Sequence, residues 1–246
     1  MSPEFTEDGF LGGRLVIAQP RAGFRAGHDA VLLAAAVAAK PGEHALELGS
    51  GTGVASLCLA ARVANLRVEG IEIHAELVKL ANENAARNQM AERISFTRGD
   101  VEQIELGGRL FDHVFLNPPF HPDTGQISPH PARDLAKRDS SRTVASWTKV
   151  ALAAAKPEGI VTAIVRADRE HEIVDIVEGR GVTIIPLYPR NREAPKRIIV
   201  YIEKASDRSI RVTHGLVLHL ANGKPTAGAE AVLRYGAPLP ILDPGS

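Results

Sequence analysis

The sequence predicts a single-domain α/β fold whose mostly parallel β-sheet is covered by helices on both faces. Short apolar runs alternate with helical patterns along the chain, and this alternation is typical of a parallel sheet. The last two strand-like runs, at 182–187 and 197–202, are too close for a crossover helix, so we expect them to pair antiparallel. The 246 residues, 44% of them hydrophobic, suffice for one sizeable domain, and a second would be cramped.

The individual strands and helices are predicted from the periodicity of apolar residues and from the glycine, proline and capping residues that mark their ends. Strands are predicted at 44–48, 67–73, 94–97, 111–116, 160–165, 182–187 and 197–202. Helices are predicted at 52–63, 75–88, 143–155 and 169–178, and at 30–39 with Asp29 as N-cap. The segment 215–220 is expected to form either an extra strand or a stretch packed on the domain.

Composition narrows the functional class. Lysine plus arginine equal aspartate plus glutamate at 29 each, so a nucleic-acid surface would have to be local. The single cysteine, Cys58, excludes an internal disulfide, and we expect it to be a small buried hydrophobe rather than a nucleophile. The N-terminus lacks a secretory pattern, and the longest apolar run, 30–39, is too short to span a bilayer. We therefore expect a soluble cytoplasmic protein without membrane association.

A glycine-rich turn, ELGSGTG at 47–53, follows the first strand of the predicted sheet. Gly49, Gly51 and Gly53 allow a sharp turn and a close backbone approach to a ligand beside a helix N-terminus. The turn lacks both the G-x-G-x-x-G spacing of dinucleotide sites and the Gly-Lys-Ser/Thr of a P-loop. The glycines alone leave open a turn that merely permits packing.

Three acids stand at or near the ends of three successive predicted strands. Glu47 is placed to reach an ammonium group, Glu72 to accept both hydroxyls of a ribose, and Asp100 to receive an adenine amine. A carboxylate just before the glycines would repel a pyrophosphate. The set therefore suits a ligand that carries an ammonium, a ribose and an adenine but no phosphate, while solvated strand-end acids are the alternative.

A second signature, Asn117-Pro118-Pro119-Phe120, ends the strand at 111–116. The prolines fix the turn, so that the Asn117 side-chain oxygen and the Pro118 carbonyl can both accept hydrogen bonds from one –NH2 group. Such a grip aims the nitrogen lone pair at an electrophile and requires no strong base. Phe120 can stack on a planar substrate, which is worth about 1–3 kcal/mol per base. The alternative is a strand-ending turn with Phe120 in the core.

These two signatures together resemble the class I S-adenosylmethionine-dependent methyltransferases, in particular the amino-methyltransferases that carry N-P-P-F/Y/W. Within that group the sequence is most similar to the adenine N6-methyltransferases that modify valine tRNA next to the anticodon. The resemblance covers roughly residues 15–204, and its segment 19–33 is similar to the part of that family that folds over the methionine end of the cofactor. It implies a Rossmann-like, doubly wound sheet of seven strands in the order 3-2-1-4-5-7-6, with the last strand antiparallel.

The resemblance also implies roles for individual residues and an organisation of the single domain, 1–246. The implied organisation is a cofactor-covering element at 14–39, a Rossmann-like core at 43–204 and a C-terminal extension at 205–246. S-Adenosylmethionine would be bound by Asp29, Glu47, Gly49, Gly51, Gly53, Glu72 and Asp100. The substrate amine would be presented by Asn117, Pro118, Pro119 and Phe120. Helix capping would explain Asp29 equally well.

The substrate class stays open at this point. The same motif serves enzymes that act on protein glutamine, so a glutamine amide is an alternative to adenine N6 of tRNA. Alternatives from other classes are an NAD-dependent oxidoreductase and a non-catalytic cofactor-binding module. Glu47 disfavours the oxidoreductase, and no acid/base set for hydride transfer accompanies the glycine loop.

A basic loop supports a structured RNA, such as tRNA, as the partner. Its cations are Arg190, Arg192, Lys196 and Arg197, set against the single acid Glu193, and they could hold phosphates. A second cluster at 133–142 is diluted by acids, and we expect it to be a solvated face. Aromatic residues make up only 4% of the chain, which favours one presented base over an extended stacking platform. The histidines are scattered, so no metal site is predicted.

Overall fold

A computed structural model describes residues 5–23, 25–119, 144–177, 180–206 and 210–239. The strands in these residues are β1 (Phe5–Phe10), β2 (Leu15–Pro20), β3 (His44–Leu48), β4 (Arg67–Glu72), β5 (Ile94–Arg98), β6 (Phe111–Leu116), β7 (Ala155–Arg166), β8 (Gly181–Arg190), β9 (Arg197–Glu203), β10 (Ile210–Val212) and β11 (Leu216–His219). The α-helices are α1 (His28–Ala36), α2 (Val54–Arg62), α3 (Ala75–Arg87), α4 (Val144–Ala154), α5 (Glu170–Val174) and α6 (Ala227–Tyr235). The predicted alternation of strands and helices is confirmed.

The central sheet has the predicted strand order. Its strands run β5-β4-β3-β6-β7-β9-β8, which is 3-2-1-4-5-7-6 when the seven predicted strands are numbered along the chain. β9 is antiparallel to both β7 and β8, and the other pairs in this series are parallel. Two short strands, β10 and β11, extend the sheet by pairing parallel with β8. The sheet is therefore wider than the seven strands expected, and β11 confirms the strand interpretation of 215–220.

The strands β10 and β11 are separate because of one residue of β8. β10 pairs with Val182–Ile184 and β11 with the segment that begins at Leu187, so Pro186 lies between the two paired stretches. Proline has no N–H to donate to a ladder, which interrupts the pairing there. Gly215 passes this point with φ +74°, and a Cβ on it would overlap the Pro186 carbonyl. Glycine is therefore required where the extension crosses Pro186.

Two hydrophobic layers bury the faces of the sheet. Helices α1, α2 and α3 cover one face, where Leu33, Leu57 and Phe115 share a core. Helices α4 and α5 cover the other face, where Leu116 and Trp147 belong to a second core. Burial on both faces explains why the central strands read as nearly continuous apolar runs. Among the described residues, no helix combines the length and the apolar character needed to cross a membrane.

Several predicted boundaries were wrong. Helix α1 begins at His28 with Gly27 as its N-cap, so Asp29 lies inside the first turn and does not cap the helix. Strand β7 begins at Ala155, whereas the sequence predicted its start at 160, because Ala155 pairs with Phe111 before a register shift that accommodates the Lys-Pro-Glu-Gly segment. The helix predicted at 169–178 is a 3-10 turn followed by the short α5.

An N-terminal hairpin, which the sequence did not predict, packs on the core through β2. β1 pairs antiparallel with one edge of β2. Along the other edge, Asn84 exchanges hydrogen bonds with both the N–H and the C=O of Ala18, and Asn88 does the same with Val16. Two amide side chains, one on α3 and one at its C-cap, therefore satisfy the strand edge in place of a neighbouring strand.

The C-terminal extension returns from the sheet edge to the N-terminal part of the chain. Thr226 caps α6 by accepting a hydrogen bond from the Ala229 N–H. The Arg14 guanidinium donates to the Tyr235 carbonyl over 2.9 Å, and the Leu239 N–H donates to the Ala35 carbonyl over 2.8 Å. The extension is thus fixed to both α1 and the hairpin.

Candidate functional site

Three predicted site residues follow directly after strand residues that pair with one another. Leu48 of β3 pairs with Ile71 of β4 and with Leu116 of β6. The next residues along the chain are Gly49, Glu72 and Asn117, which therefore lie side by side at the carboxyl edge of the sheet. Since neighbouring strands are about 4.8 Å apart, these three positions fall within about 10 Å of one another. Ligands of open α/β sheets bind at this edge.

The glycine loop has a backbone that only glycine adopts readily. Gly49, Gly51 and Gly53 have φ values of +72°, +53° and +81°. The N–H groups of Gly49 and Ser50 both donate to the Ile71 carbonyl over 2.9 Å. A Cβ on Gly53 would lie 2.6 Å from the Phe96 ring. Packing is thus sufficient to explain Gly53, while the rest of the loop is fastened to the end of β4.

The Glu72 carboxylate helps to shape this loop. It is buried and accepts hydrogen bonds from the Gly51 N–H over 2.9 Å at Oε2 and from the His74 N–H over 3.0 Å at Oε1. An ionised carboxylate has about four lone-pair sites, so two bonds leave it able to accept more. Glu72 can therefore hold the loop and receive ribose hydroxyls at the same time.

Glu47 is a buried acid with one oxygen in use. Its Oε2 accepts hydrogen bonds from the Ser56 N–H over 3.1 Å and from the Ser56 hydroxyl over 2.5 Å. Burial raises the pKa of Glu47 to about 8, against the Ser56 hydrogen bonds that lower the pKa, and the charge of Glu72 raises it further. A ligand ammonium beside this carboxyl would favour its charged form.

Two other predicted cofactor residues have partners of their own. Asp100, which follows β5, accepts a hydrogen bond from the Glu102 N–H over 3.1 Å and so orders the loop after the strand. Asp29 accepts from Arg197 Nε over 3.0 Å, which ties the first turn of α1 to the start of β9. Arg197 was predicted to contact RNA, and this ion pair offsets part of its charge.

The Asn-Pro-Pro turn leaves an acceptor unused. Asn117 is half-buried, Pro118 is buried and Pro119 is exposed. Asn117 Oδ1 is buried and has no hydrogen-bond partner within the part of the chain that the structure describes. Leaving a buried acceptor unsatisfied costs about 1–3 kcal/mol, so a ligand donor is expected there. Phe120 and its predicted stacking role lie outside the described residues.

Trp147 is a candidate site residue that the sequence interpretation missed. Its ring atoms Cζ3 and Cη2 are 2.7 Å from the position that a Cβ on Gly49 would take. The preceding residue, Ser146, donates a 2.5 Å hydrogen bond to Glu102, which holds α4 against the loop after β5. The available signal was that Trp147 is the sole tryptophan of an aromatic-poor chain.

Unpaired polar atoms gather at this edge. The buried atoms without partners in the described ranges include Ser50 Oγ, Thr52 Oγ1, Asn117 Oδ1 and Trp147 Nε1. Buried polar groups in folded proteins nearly always have partners, so such a group of exceptions indicates a polar ligand. Together with the buried acids Glu47 and Glu72, these atoms fit S-adenosylmethionine, which offers an ammonium, hydroxyls and an adenine.

The basic loop lies at the same edge of the sheet. Arg166, at the end of β7, pairs with Arg197, so the 191–196 loop before β9 stands at the carboxyl edge together with Asn117. Arg190 forms an ion pair with Glu193 over 3.3 Å. Arg192 and Lys196 are exposed, and no acid pairs with them in the described part of the chain. The second basic cluster, at 133–142, lies outside the described residues.

Two further reactive side chains, Cys58 and His113, are buried. Cys58 is buried, and burial raises the pKa of its thiol to about 12, which agrees with a packing role. His113 contacts Glu43 over 2.9 Å near the opposite edge of the sheet, and burial lowers the pKa of its imidazole. Within the described ranges, no group of histidine, cysteine or acidic side chains could hold a metal ion.

Comparisons with known proteins agree with this geometry. Residues 26–141 match the model of the methyltransferase small domain. The chain is 30% identical over 227 residues to the tRNA1(Val) (adenine(37)-N6)-methyltransferase of Porphyromonas gingivalis, covering 85% of this chain and 87% of that protein. It is 26% identical over 197 residues to the protein of the same name from Shewanella amazonensis, covering 76% and 84% of the two chains.

A solved structure shares the fold. It belongs to a predicted O-methyltransferase from Agrobacterium tumefaciens, with a TM-score of 0.69 and 24% identity, and the match covers 86% of this chain and 98% of that one. The relative from Porphyromonas gingivalis shows the family, because it is 30% identical and is covered over 87% of its length. The chain is an S-adenosylmethionine-dependent methyltransferase and belongs to the tRNA1(Val) (adenine(37)-N6)-methyltransferase family.

Proposed function

We propose that this enzyme methylates the exocyclic N6 amine of an adenine in tRNA. The observation that carries the proposal is the buried Oδ1 of Asn117, which has no hydrogen-bond partner among the described residues and lies next to Gly49 at the end of the neighbouring strand. An acceptor in that position suits an –NH2 group, and the names of the relatives supply adenine and tRNA as the substrate class. Family membership sets aside the NAD-dependent oxidoreductase that the sequence left open.

In this reaction the main task of the protein is to position the substrate amine relative to the methyl group of the cofactor. S-Adenosylmethionine supplies an electrophilic methyl group when bound. Asn117 Oδ1 and the Pro118 carbonyl would accept the two N–H groups of the amine and so fix the direction of its lone pair. Both oxygens would also stabilise the positive charge that develops on nitrogen, and preorganised dipoles of this kind are a large source of catalysis. No base is needed before the new bond forms, because the proton leaves afterwards.

The same edge would hold the cofactor. Glu47 is the residue for the ammonium group, since it is buried and only its Oε2 is bonded to Ser56. Glu72 would accept the ribose hydroxyls, and Asp100 would face the adenine. Gly49 and Gly51 allow close approach, and Asp29 stays a further proposed contact from the covering element. This assignment places the nucleoside half over β4 and β5.

The RNA would approach over the other half of the edge. With β3, β4 and β5 occupied by the cofactor, the ends of β6, β7 and β8 and the start of β9 remain for the substrate. The proposed phosphate contacts there are Arg190, Arg192, Lys196 and Arg197. The target adenine must leave its stack, which costs a few kcal/mol. A tRNA substrate would be met in the cytoplasm, the location that the sequence analysis expects.

The test uses cells that lack the gene. Their total RNA, their total protein and an unmodified tRNA1(Val) transcript are incubated with the enzyme and methyl-labelled S-adenosylmethionine. Nucleoside mass spectrometry is expected to find N6-methyladenosine in the transcript, and Asn117→Ala is the matched control. Label in protein glutamine without any labelled nucleoside would contradict the proposal and favour a glutamine amide substrate.

A further inference from the structure

We propose that the turn at residues 220–225 of the C-terminal extension forms part of the tRNA-binding surface, with Lys224 as a phosphate contact. This inference rests on the proposed function and extends it to a part of the chain beyond the Rossmann-like core. The surface comprises this turn and the neighbouring loop at 191–196.

Strand pairing places the turn at the substrate side of the active-site edge. β11 is parallel to β8, and His219 at the end of β11 pairs with Arg190 at the end of β8. Next to this pair, His219 Nδ1 is 3.3 Å from the Pro189 carbonyl. From β6 to β11 the sheet crosses four strand spacings, or about 19 Å. The turn therefore stands beside the basic loop, on the far side from the cofactor acids.

The charge of this region is one-sided. From Ile210 to Thr226 the sequence contains no aspartate or glutamate. Lys224 is exposed and, like Arg192 and Lys196, has no acidic partner in the described part of the chain. The formal net charge of the whole chain is zero, so a local surface that carries these three cations is the kind of surface expected to bind a polyanion.

The turn is also fixed in place before any substrate arrives. The Leu220 N–H donates to the Lys224 carbonyl over 2.8 Å, and the Lys224 N–H donates to Asn222 Oδ1 over 3.0 Å. Beyond the turn, the Thr226 hydroxyl donates to the Val217 carbonyl over 2.6 Å. A preordered contact loses less conformational entropy on binding than a mobile one.

The experiment compares Lys224→Gln with the wild-type enzyme on an unmodified tRNA1(Val) transcript. The variant is expected to raise KM for the transcript, with kcat and the Kd for S-adenosylhomocysteine unchanged. The slope of log affinity against log salt should become shallower by about 1, the effect of losing one phosphate contact. Lys224→Arg keeps the charge and is expected to restore both KM and slope.

The matched control is Lys40→Gln, which removes an exposed lysine just before β3 at the opposite edge of the sheet. An equal rise in KM for both glutamine variants would mean a general charge effect and would overturn the inference. Unchanged KM and salt slope in Lys224→Gln, with the wild type methylating the transcript, would overturn the inference and leave the proposed function intact. A wild-type enzyme that neither binds nor methylates tRNA would overturn both.

Discussion

Glu72 accepts a 2.9 Å hydrogen bond from the Gly51 N–H, so an acid at the end of one strand holds the glycine loop that follows the neighbouring strand. The same carboxylate accepts from the His74 N–H over 3.0 Å. A residue predicted only as a ribose acceptor therefore also organises the backbone on which the cofactor would rest.

Replacement of Glu72 is expected to affect stability as well as binding. Glu72→Ala leaves the buried Gly51 N–H and the part-buried His74 N–H without this acceptor, at a cost of about 1–3 kcal/mol in the free energy of unfolding. It should also weaken S-adenosylhomocysteine binding. Urea denaturation without ligand and calorimetry with ligand measure the two effects, and Glu76→Ala, on the exposed first turn of α3, is the control. An unchanged urea midpoint would show that the loop does not depend on this acid.

Glu47 predicts a pH dependence of stability. The pKa of this carboxyl is raised from 4.5 to about 8 in the folded protein, so between these pH values the folded state retains a proton that the unfolded chain has released. The free energy of unfolding should therefore fall as pH rises from 4.5 to 8. Glu47→Gln cannot titrate and should flatten this slope. Parallel pH profiles for the two proteins, from urea titrations, would contradict the prediction.

Asn117 should act on turnover rather than on cofactor binding. Asn117→Ala removes an acceptor that has no partner within the described ranges, and loss of one preorganised contact of this type typically lowers kcat by about 10²–10³-fold. The Kd for S-adenosylhomocysteine and the melting temperature should stay near the wild-type values. Single-turnover methylation of the transcript measures the rate. Near wild-type turnover in this variant would remove the basis of the proposed amine grip.

Trp147 should report on ligand binding. It is the sole tryptophan and its ring lies against Gly49, so a nucleoside beside the glycine loop should change its emission. We expect S-adenosylhomocysteine and 5′-methylthioadenosine to change the fluorescence, and methionine alone to have little effect. In Trp147→Phe the signal should vanish. Unchanged wild-type emission at a saturating concentration, verified by calorimetry, would place the indole away from the nucleoside.

Asn84 should be among the more costly polar residues to remove. It is buried and bonds the N–H and C=O of Ala18 and the carbonyl of Thr52, which joins the hairpin to the glycine loop. Asn84→Ala leaves these three groups without their partner, so we expect the free energy of unfolding to fall by more than the roughly 1–3 kcal/mol that one unsatisfied buried group costs. The more exposed Asn88→Ala should cost less. Equal urea midpoints for the two variants would argue against burial as the cause.

The sequence by itself determined the fold class and the antiparallel pairing of the last two strands, and its resemblance to the methyltransferases implied the strand order and the roles of the site residues. Period-2 and period-3.6 patterns locate elements because burial on both sheet faces needs nearly continuous apolar strands. The signatures around Gly49 and Asn117 are local, since their chemistry resides in a few adjacent residues. The carboxyl ends of parallel strands lie at one edge of a sheet, and for this reason the turns at Gly49 and Asn117 are neighbours in the structure.

Only the tertiary structure decided the contacts between distant segments. The pairing of Asp29 with Arg197, 168 residues apart, overrode the local preference of an aspartate to cap its own helix. In the sequence, Asn84 is one polar residue among several in a helix, and its partners on the hairpin edge appear only in the folded structure. Trp147 and the turn before Thr226 gained their positions from a helix and a strand docking on remote parts of the chain. Such partners are set by packing, because no periodicity within one segment encodes what lies across from it.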